Sequence, residues 1–426
     1  MASTTGTIAV LDLKLRNGAT LAQLDDPAGP MFVADMKAYA SHGTPLLSNG
    51  SLDLARIRTT TTSASVATEI RVRGASSRNH PKKGYKLDLS SAVGLLGMPA
   101  EKDWILHSCW TDKTCLRNVL GYWQAAKLFS WAPRTEFVEV FINDSYRGLY
   151  VLIENVKLGP NRVNLPTPTD NQFEISGTYV IKRNGSDPGD WASSIRPTLN
   201  WEFATPSSSL TTAQRTWMKD FMNLSFEPRF HPTYVNYDAW NYEEHMDERS
   251  AVDFMIIQEL SNNVDAYWKS MHLTKQRDAS GGLVYMGPIW DLDLAFANYN
   301  YASEGLCGNT TWRMNTMKSG VAFQPLWEIW RMWPFRQAIR DRWNALRNAG
   351  TISRSRFETK IDEFRVRIES ARMRDNTVWN TINNSTSVEC QNFPTYAEYL
   401  THLKTWIRGR IDWMDARIAE SAFVNP

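Results

Sequence analysis

The stretch TEFVEVFINDSYRGLYVLIENV, residues 135–156, decides what kind of fold the first third of the chain adopts. Val138, Val140 and Ile142 alternate with other residues and therefore share one face of an extended strand. The letters INDSYRG that follow are typical of a tight turn, and a second apolar run occupies positions 149–153. The pattern predicts a β-hairpin.

Alternation of apolar and polar residues is also present upstream of this hairpin. The segments ATEIRVRG and GYKLDLS, which both end before residue 91, have the two-residue period of a half-buried strand. Between them and the hairpin, residues 112–129 carry apolar side chains at helical spacing. Residues 1–156 are therefore predicted to form a strand-rich N-terminal lobe that contains one helix.

The remainder of the chain, residues 157–426, is predicted to form a larger and mostly helical C-terminal lobe. Thr211 begins a segment with the spacing of a helix-capping box. Apolar residues recur every three or four positions in 357–368 and again in 400–418, as they do in amphipathic helices. The predicted class is α+β, with a lobe boundary near residue 156.

The composition restricts the class of protein and its compartment. The 426 residues include 47 basic and 45 acidic side chains, a balance that argues against a general nucleic-acid binder. No apolar run approaches the roughly 18 residues of a membrane span. No basic region followed by an apolar run marks a signal peptide at the N-terminus. A cytoplasmic protein and a secreted or cell-surface protein expressed without its leader both stay open, with a slight preference for the second.

Four cysteines are too few for a disulfide scaffold, but they are enough for two bridges. Cys109 and Cys115 are close enough in sequence to pair, which leaves Cys307 and Cys390 for a second bridge. Buried free thiols are the alternative, with equal weight.

Three aspartates have a spacing that recurs in phosphoryl-transfer sites. Asp265 follows a hydrophobic helix and two asparagines, and Asp291 and Asp293 lie further on in GPIWDLDLAFANYN. In such sites the first acid orients or deprotonates an attacking hydroxyl, and the later acids hold Mg²⁺, which prefers oxygen ligands. The alternatives are a helix cap at Asp265 and an exposed acidic turn at the other two positions.

A basic hairpin is the candidate phosphate site. In RVRGASSRNHPKKGYKLDL, residues 71–89, a turn that contains Ser76 and Ser77 joins two strands. Small residues in a turn expose backbone N–H groups, and the nearby cations Arg78 and Lys86 favour phosphate. The alternative is a solvated basic hairpin. A Walker-type loop is excluded, because the pattern GxxxxGK followed by Ser or Thr is missing.

Five sequence blocks in a fixed order resemble the CotH family, the spore-coat-type atypical protein kinases. The blocks are RVRGASSRNHPKKGYKLDL, CLRNVLGY, APRTEFVEVFINDSYRGLYVLIENV, NNVDAYWKSMHL and GPIWDLDLAF. Together they cover about residues 60–300. The resemblance implies a divergent, two-lobed protein-kinase-like fold. It also implies an enzyme that binds ATP with Mg²⁺, or with Mn²⁺ in its place, and phosphorylates Ser or Thr of a protein acceptor.

The resemblance also implies roles for individual residues. Asp265 is expected to be the catalytic acid, Asp291 the Mg²⁺ ligand and Asp293 an assisting ligand. Lys86 is expected to pair with the α- and β-phosphates of the nucleotide. The other expected nucleotide contacts are Ser76, Ser77 and Arg78 over the phosphates, Arg117 and Asn118 at the start of the N-lobe helix, and Glu154 near the lobe connection and the adenine.

One position departs from the kinase-like pattern. Such sites usually carry an Asn five residues after the catalytic acid, and here Ser270 takes that place. Ser270 is then expected to be a metal ligand, but a shorter and neutral one, which puts phosphoryl transfer in question. One alternative is another ATP-dependent transfer on the same fold, such as adenylylation, or glutamylation with a carboxylate acceptor. The other is a pseudokinase that acts as a surface or coat assembly protein.

Overall fold

The N-terminal strands close into a seven-stranded barrel. The structure, a computed structural model, describes residues 8–40, 46–166, 174–299, 307–317, 322–384 and 389–424. The barrel strands are β1 (Ala9–Leu15), β2 (Phe32–Tyr39), β3 (Thr62–Arg73), β4 (Gly84–Leu95), β5 (Met98–His107), β6 (Thr135–Ile142) and β7 (Ser145–Glu154). They pair in the order β1-β2-β3-β4-β5-β7-β6, and β1 closes the barrel by pairing in parallel with β6. The predicted hairpin is confirmed as β6 and β7.

A second sheet of five strands lies in the C-terminal part of the chain. Its strands are β8 (Tyr179–Asn184), β9 (Trp191–Ala192), β10 (Asn200–Thr205), β11 (Lys269–Lys275) and β12 (Val284–Met286). They pair in the order β12-β11-β8-β10-β9. This sheet adds strands to a part of the chain that was predicted to be mostly helical.

The helices surround this sheet and one side of the barrel. They are α1 (Leu21–Leu24), α2 (Leu54–Ile57), α3 (Arg117–Ala125), α4 (Thr212–Asp220), α5 (Glu227–Arg229), α6 (Glu248–Ser261), α7 (Arg313–Thr316), α8 (Gln324–Trp330), α9 (Trp333–Asn348), α10 (Arg354–Trp379), α11 (Tyr396–Ala419) and α12 (Ser421–Val424). A π-helix (Phe221–Phe226) continues α4, and 3-10 segments span Ser76–Asn79, Ala239–Glu244 and Asp278–Ser280. Among the described residues no helix is both long enough and apolar enough to cross a bilayer.

Alternating residues divide the barrel strands between two cores. Trp104 of β5 and Tyr150 of β7 point into the barrel, where they join the buried cluster of its interior. Their neighbours Ile105 and Val151 point outward and belong to the larger core that the helices share. Helix α10 contacts β7 directly. The outer face of β5 and β7 is therefore where the barrel joins the rest of the molecule.

The α+β class predicted from the sequence is confirmed, with changes in detail. The helix expected over 112–129 is shorter, because α3 begins only at Arg117. The capping box at Thr211 is present, and both pairs of cysteines form disulfides, which decides against free thiols. The closed barrel was not predicted. The two-lobed kinase-like arrangement and the boundary near residue 156 stay predictions.

A buried ion pair joins the basic hairpin to α10. Lys82, in the turn between β3 and β4, is fully buried, and its Nζ lies 2.6 Å from Asp375 Oδ1. The same carboxylate accepts a hydrogen bond from the amide of Leu149. Gly148 is needed here, since its φ is +101° and a Cβ at this position would lie 2.0 Å from Asp375 Oδ1.

We expect Lys82→Met to lower the free energy of unfolding by about 3–5 kcal/mol, because the Asp375 carboxylate would stay buried without its partner. Chemical denaturation of the variant measures this loss. Lys83→Met is the matched control, since the Lys83 ammonium donates to the Arg78 carbonyl at an exposed position. Equal losses in the two variants would contradict the assignment, and adding Asp375→Leu to Lys82→Met should recover most of the stability.

Candidate active site

Helix α3 holds the acid-bearing segment that follows β12. Asn118 Oδ1 accepts a hydrogen bond from the amide of Leu292 at 2.7 Å, and the Tyr122 hydroxyl accepts one from the amide of Asp291 at 3.0 Å. Between them, a Cβ on Gly121 would lie 2.2 Å from Leu292 Cδ1. These three helix residues share one face, which is shaped to fit the segment. Asn118, expected at a nucleotide, thus helps to position the backbone of the acid-bearing segment.

Strand β11 holds the same segment from another side. Ser270 Oγ donates to Asp291 Oδ2 at 2.9 Å, so two residues predicted to share a metal ion are in contact. The strand bulges at Ser270, whose φ is +52°, and Asp291 has a φ of +61°. Left-handed backbone is uncommon for residues other than glycine and is concentrated at functional sites.

Asp265 lies beyond the end of α6, close to Asp291. The helix ends with Asn262 as its C-cap, so Asp265 does not cap it. Asp265 is 6% exposed, and among the described residues its Oδ1 has no hydrogen-bond partner. Burial, and secondarily the negative charge of Asp291, raise the pKa of Asp265 to about 7. A carboxyl that titrates near neutral pH and has a free oxygen is suited to accept a proton.

Asp293 completes the group of acids and has two partners that the sequence did not indicate. Thr111 Oγ1 donates to Asp293 Oδ2 at 3.0 Å, and His107 Nε2 lies 4.0 Å from the same oxygen. Burial and the charge of Asp291 hold the pKa of Asp293 well above its usual range. Burial lowers the pKa of His107 to about 4, so this imidazole is neutral at pH 7.

The outer face of the barrel presents cations beside this group. In the register of β3 with β4, Arg71 lies opposite Lys86, and Arg73 lies opposite Gly84. Since Val72 points into the barrel, both arginines point outward on the same face. The positive charge of Arg73 helps to lower the pKa of His107, which places it near the acids. The alternation in RVRG is the sequence signal that places Arg73 on this face.

Lys86 lies on this face but pairs with other carboxylates. Its Nζ is 3.5 Å from Asp103 Oδ1 and 3.7 Å from Asp88 Oδ2. The turn that contains Ser76, Ser77 and Arg78 is an exposed 3-10 segment, in which Arg78 Nε donates to the carbonyl of Gly74. Contact of these four residues with phosphates stays a prediction.

Two other residues expected at the nucleotide form ion pairs and hydrogen bonds within the protein. Arg117 is 1% exposed, forms an ion pair with Asp112, and donates from Nε to the carbonyl of Phe296. Glu154 is fully buried and accepts three hydrogen bonds from Arg134, from its backbone amide at 3.0 Å, from Nε at 2.9 Å and from Nη2 at 2.8 Å. These contacts hold the fold together, and no nucleotide contact follows from them.

The acids form an open group rather than a closed metal cage. In the part of the chain that the structure describes, the one trio of His, Cys, Asp or Glu with ligand atoms within 4.8 Å is Asp238, Glu244 and His245, away from these acids. The charge of Asp291 raises the pKa of Asp265 and of Asp293, so the three acids interact with one another. Carboxyl groups that oppose one another's ionisation, one of them with an oxygen that has no partner among the described residues, fit a divalent cation. An open group fits Mg²⁺ in particular, because this ion usually keeps several water ligands and is also coordinated by phosphate oxygens.

A comparison with protein-family models identifies the family of this chain. Residues 70–414 match the family model described as CotH kinase protein. A search of curated proteins finds no significant match. The matched range covers most of the chain and includes every candidate site residue, so the resemblance of the five sequence blocks is confirmed. The chain therefore belongs to the CotH kinase protein family.

Proposed function

We propose that the protein is an ATP- and Mg²⁺-dependent kinase that transfers phosphate to Ser or Thr of a protein acceptor, on a two-lobed kinase-like fold. One observation carries the proposal. Asp265 is a buried carboxyl with a free oxygen and a pKa of about 7, and it lies beside Asp291, whose carboxylate is held by Ser270. One acid is suited to move a proton and the other to hold a cation.

Each part of the site has one task in this proposal. Mg²⁺, when bound, offsets the charge of the phosphate oxygens and orients them. Asp291, Asp293 and Ser270 are the residues that hold the ion. Asp265 accepts the proton of the acceptor hydroxyl. Arg73 extends the positive charge of the barrel face towards the acids and so favours the phosphates.

A different ATP-dependent transfer is the second candidate, and the Ser270 position favours it. Adenylylation or amino-acid ligation still needs acids for the cation, but it relaxes the demand for a base directed at a hydroxyl. The pseudokinase alternative keeps nucleotide binding without turnover.

ATP labelled at the γ or the α phosphate, with Mg²⁺ and a mixture of candidate acceptors, separates these functions. Transfer of label to protein from the γ position alone supports the kinase. Transfer from the α position supports adenylylation, and AMP release that needs a free amino acid supports ligation. Nucleotide binding with no transfer from either position would support the pseudokinase.

Asp291→Asn is expected to reduce metal-dependent activity at least about 100-fold, since losing even a residue that supports a metal ligand costs about 10–100-fold. The fold should be retained, because the change is isosteric. Circular dichroism and the labelled-ATP assay measure the two effects. Asp341→Asn is the control, as Asp341 lies on α9 and accepts from Gln337 at an exposed position. Normal turnover by Asp291→Asn would exclude the metal assignment.

Asp265→Asn is expected to slow transfer by about 10²–10⁴-fold while nucleotide still binds, because it removes the base and leaves the cation site. Single-turnover rates and nucleotide titration separate the two effects. An equal loss of nucleotide affinity would move Asp265 from the role of base to that of metal ligand.

The pKa of Asp265 also predicts the pH dependence of the wild-type rate. A base is active when deprotonated, so the rate should fall as the pH drops through about 7 and level off above it. A bound cation favours the charged carboxylate, so saturating Mg²⁺ should shift this fall to lower pH. Rate profiles at low and high Mg²⁺ measure the shift, and an unchanged midpoint would argue against Asp265 as the base.

A further inference from the structure

In the chain, one disulfide comes before the short segment that carries Asp291 and Asp293, and a second disulfide comes after it. The first, between Cys109 and Cys115, closes the loop that precedes α3. The second joins Cys307 to Cys390, ahead of α11. We call the loop of residues 109–115 the first clasp and residues 389–390 the second clasp.

The first clasp contacts the acid segment through Thr111. The Thr111 hydroxyl donates to Asp293 Oδ2 at 3.0 Å, and the Thr111 carbonyl accepts from Asn298 Nδ2 at 3.0 Å. Just after the clasp, Arg117 Nε donates to the carbonyl of Phe296 at 3.4 Å. Thr111 is 9% and Asn298 5% exposed, so water competes little for these bonds.

The second clasp contacts the far end of the same segment. The amide of Cys390 donates to the Asn298 carbonyl at 3.1 Å, and Tyr299 forms an antiparallel bridge with Glu389. Asn298 Nδ2 also donates to the carbonyl of Asp293 at 2.7 Å. Asn298 therefore contacts both clasps and the backbone of the acid itself.

We propose that Thr111 and Asn298 are positioning residues for Asp293, and that the two disulfides keep them in place. The Thr111 hydroxyl restrains the rotation of the Asp293 carboxylate, and Asn298 restrains its backbone. The carboxylate is thus oriented before a cation arrives, so less conformational freedom is lost when the cation binds. This inference rests on the proposed function in taking Asp293 as a ligand of a divalent cation.

Mn²⁺ alone is the probe, followed by its electron paramagnetic resonance signal in the oxidised full-length protein without nucleotide. Thr111→Val removes the hydroxyl at nearly constant shape and should weaken Mn²⁺ binding about 10–100-fold, the usual cost of losing a residue that orients a metal ligand. Thr111→Ser keeps the hydroxyl and should bind like the wild type. Thr68→Val is the matched control, because the buried Thr68 hydroxyl donates to the Asp88 carbonyl in the barrel.

The disulfides are tested in the same way. Cys109→Ser combined with Cys115→Ser should weaken Mn²⁺ binding to a similar extent while circular dichroism stays unchanged. Reduction of the wild type breaks both bridges and should weaken binding at least as much, and reduction of this variant, which keeps the Cys307–Cys390 bridge, should weaken its binding further. If Thr111→Val does not fold, Asn298→Ala replaces it with the same expected loss.

Two results would overturn the proposal. One is equal Mn²⁺ affinity in the wild type and Thr111→Val, and the other is an equal loss in Thr111→Val and Thr111→Ser. Because binding is measured without ATP or acceptor, these results do not depend on the labelled-ATP assay. Mn²⁺ binding that follows the expected order in a protein that transfers no phosphate would support the positioning roles and overturn the kinase.

Discussion

Three acidic side chains held together away from bulk water are the constraint on which this structure depends. Burial withdraws Asp265 and Asp293 from solvent, and the charge of Asp291 opposes ionisation of both. Bringing such carboxyl groups together out of water is unfavourable by itself, and it is stable only where the surrounding fold holds them in place. The hydroxyls of Ser270 and Thr111 each donate to one of these carboxylates. The elements around the site therefore restrain the acids more than they neutralise them.

The architecture supplies this restraint from several directions. Helix α3 lies under the acid segment, and its approach is close enough to require Gly121 opposite Leu292. Strand β11 brings in Ser270 at a bulge, which turns that side chain towards Asp291. The barrel contributes the outer face of β3, β4 and β5, where cations lie. Arg73 brings positive charge from the barrel towards the acids, since it helps to lower the pKa of His107, which lies beside Asp293.

The sequence predicted features whose signals are local and missed those that arise from pairing between distant strands. The β6–β7 hairpin, α10 and α11 follow from spacing within one segment. The second sheet pairs Asn184 with Lys269, and no short-range pattern indicates that pairing. His107 and Arg73 reach the site through cross-strand register in the same way. The family resemblance implied nucleotide roles for Arg117 and Glu154, and no local spacing indicates their ion pairs with Asp112 and Arg134.

The closed barrel has a consequence for how the chain folds during synthesis. Strand β1 pairs on one side with β2, but its other edge pairs with β6, which ends only at Ile142. Until that strand emerges, the edge of β1 keeps unpaired backbone groups that another chain can use for strand addition. Pairings this far apart in sequence also slow folding, because a long loop must close first. Strand β1 is therefore made well before its partner β6, and during this interval its unpaired edge favours aggregation of the nascent protein.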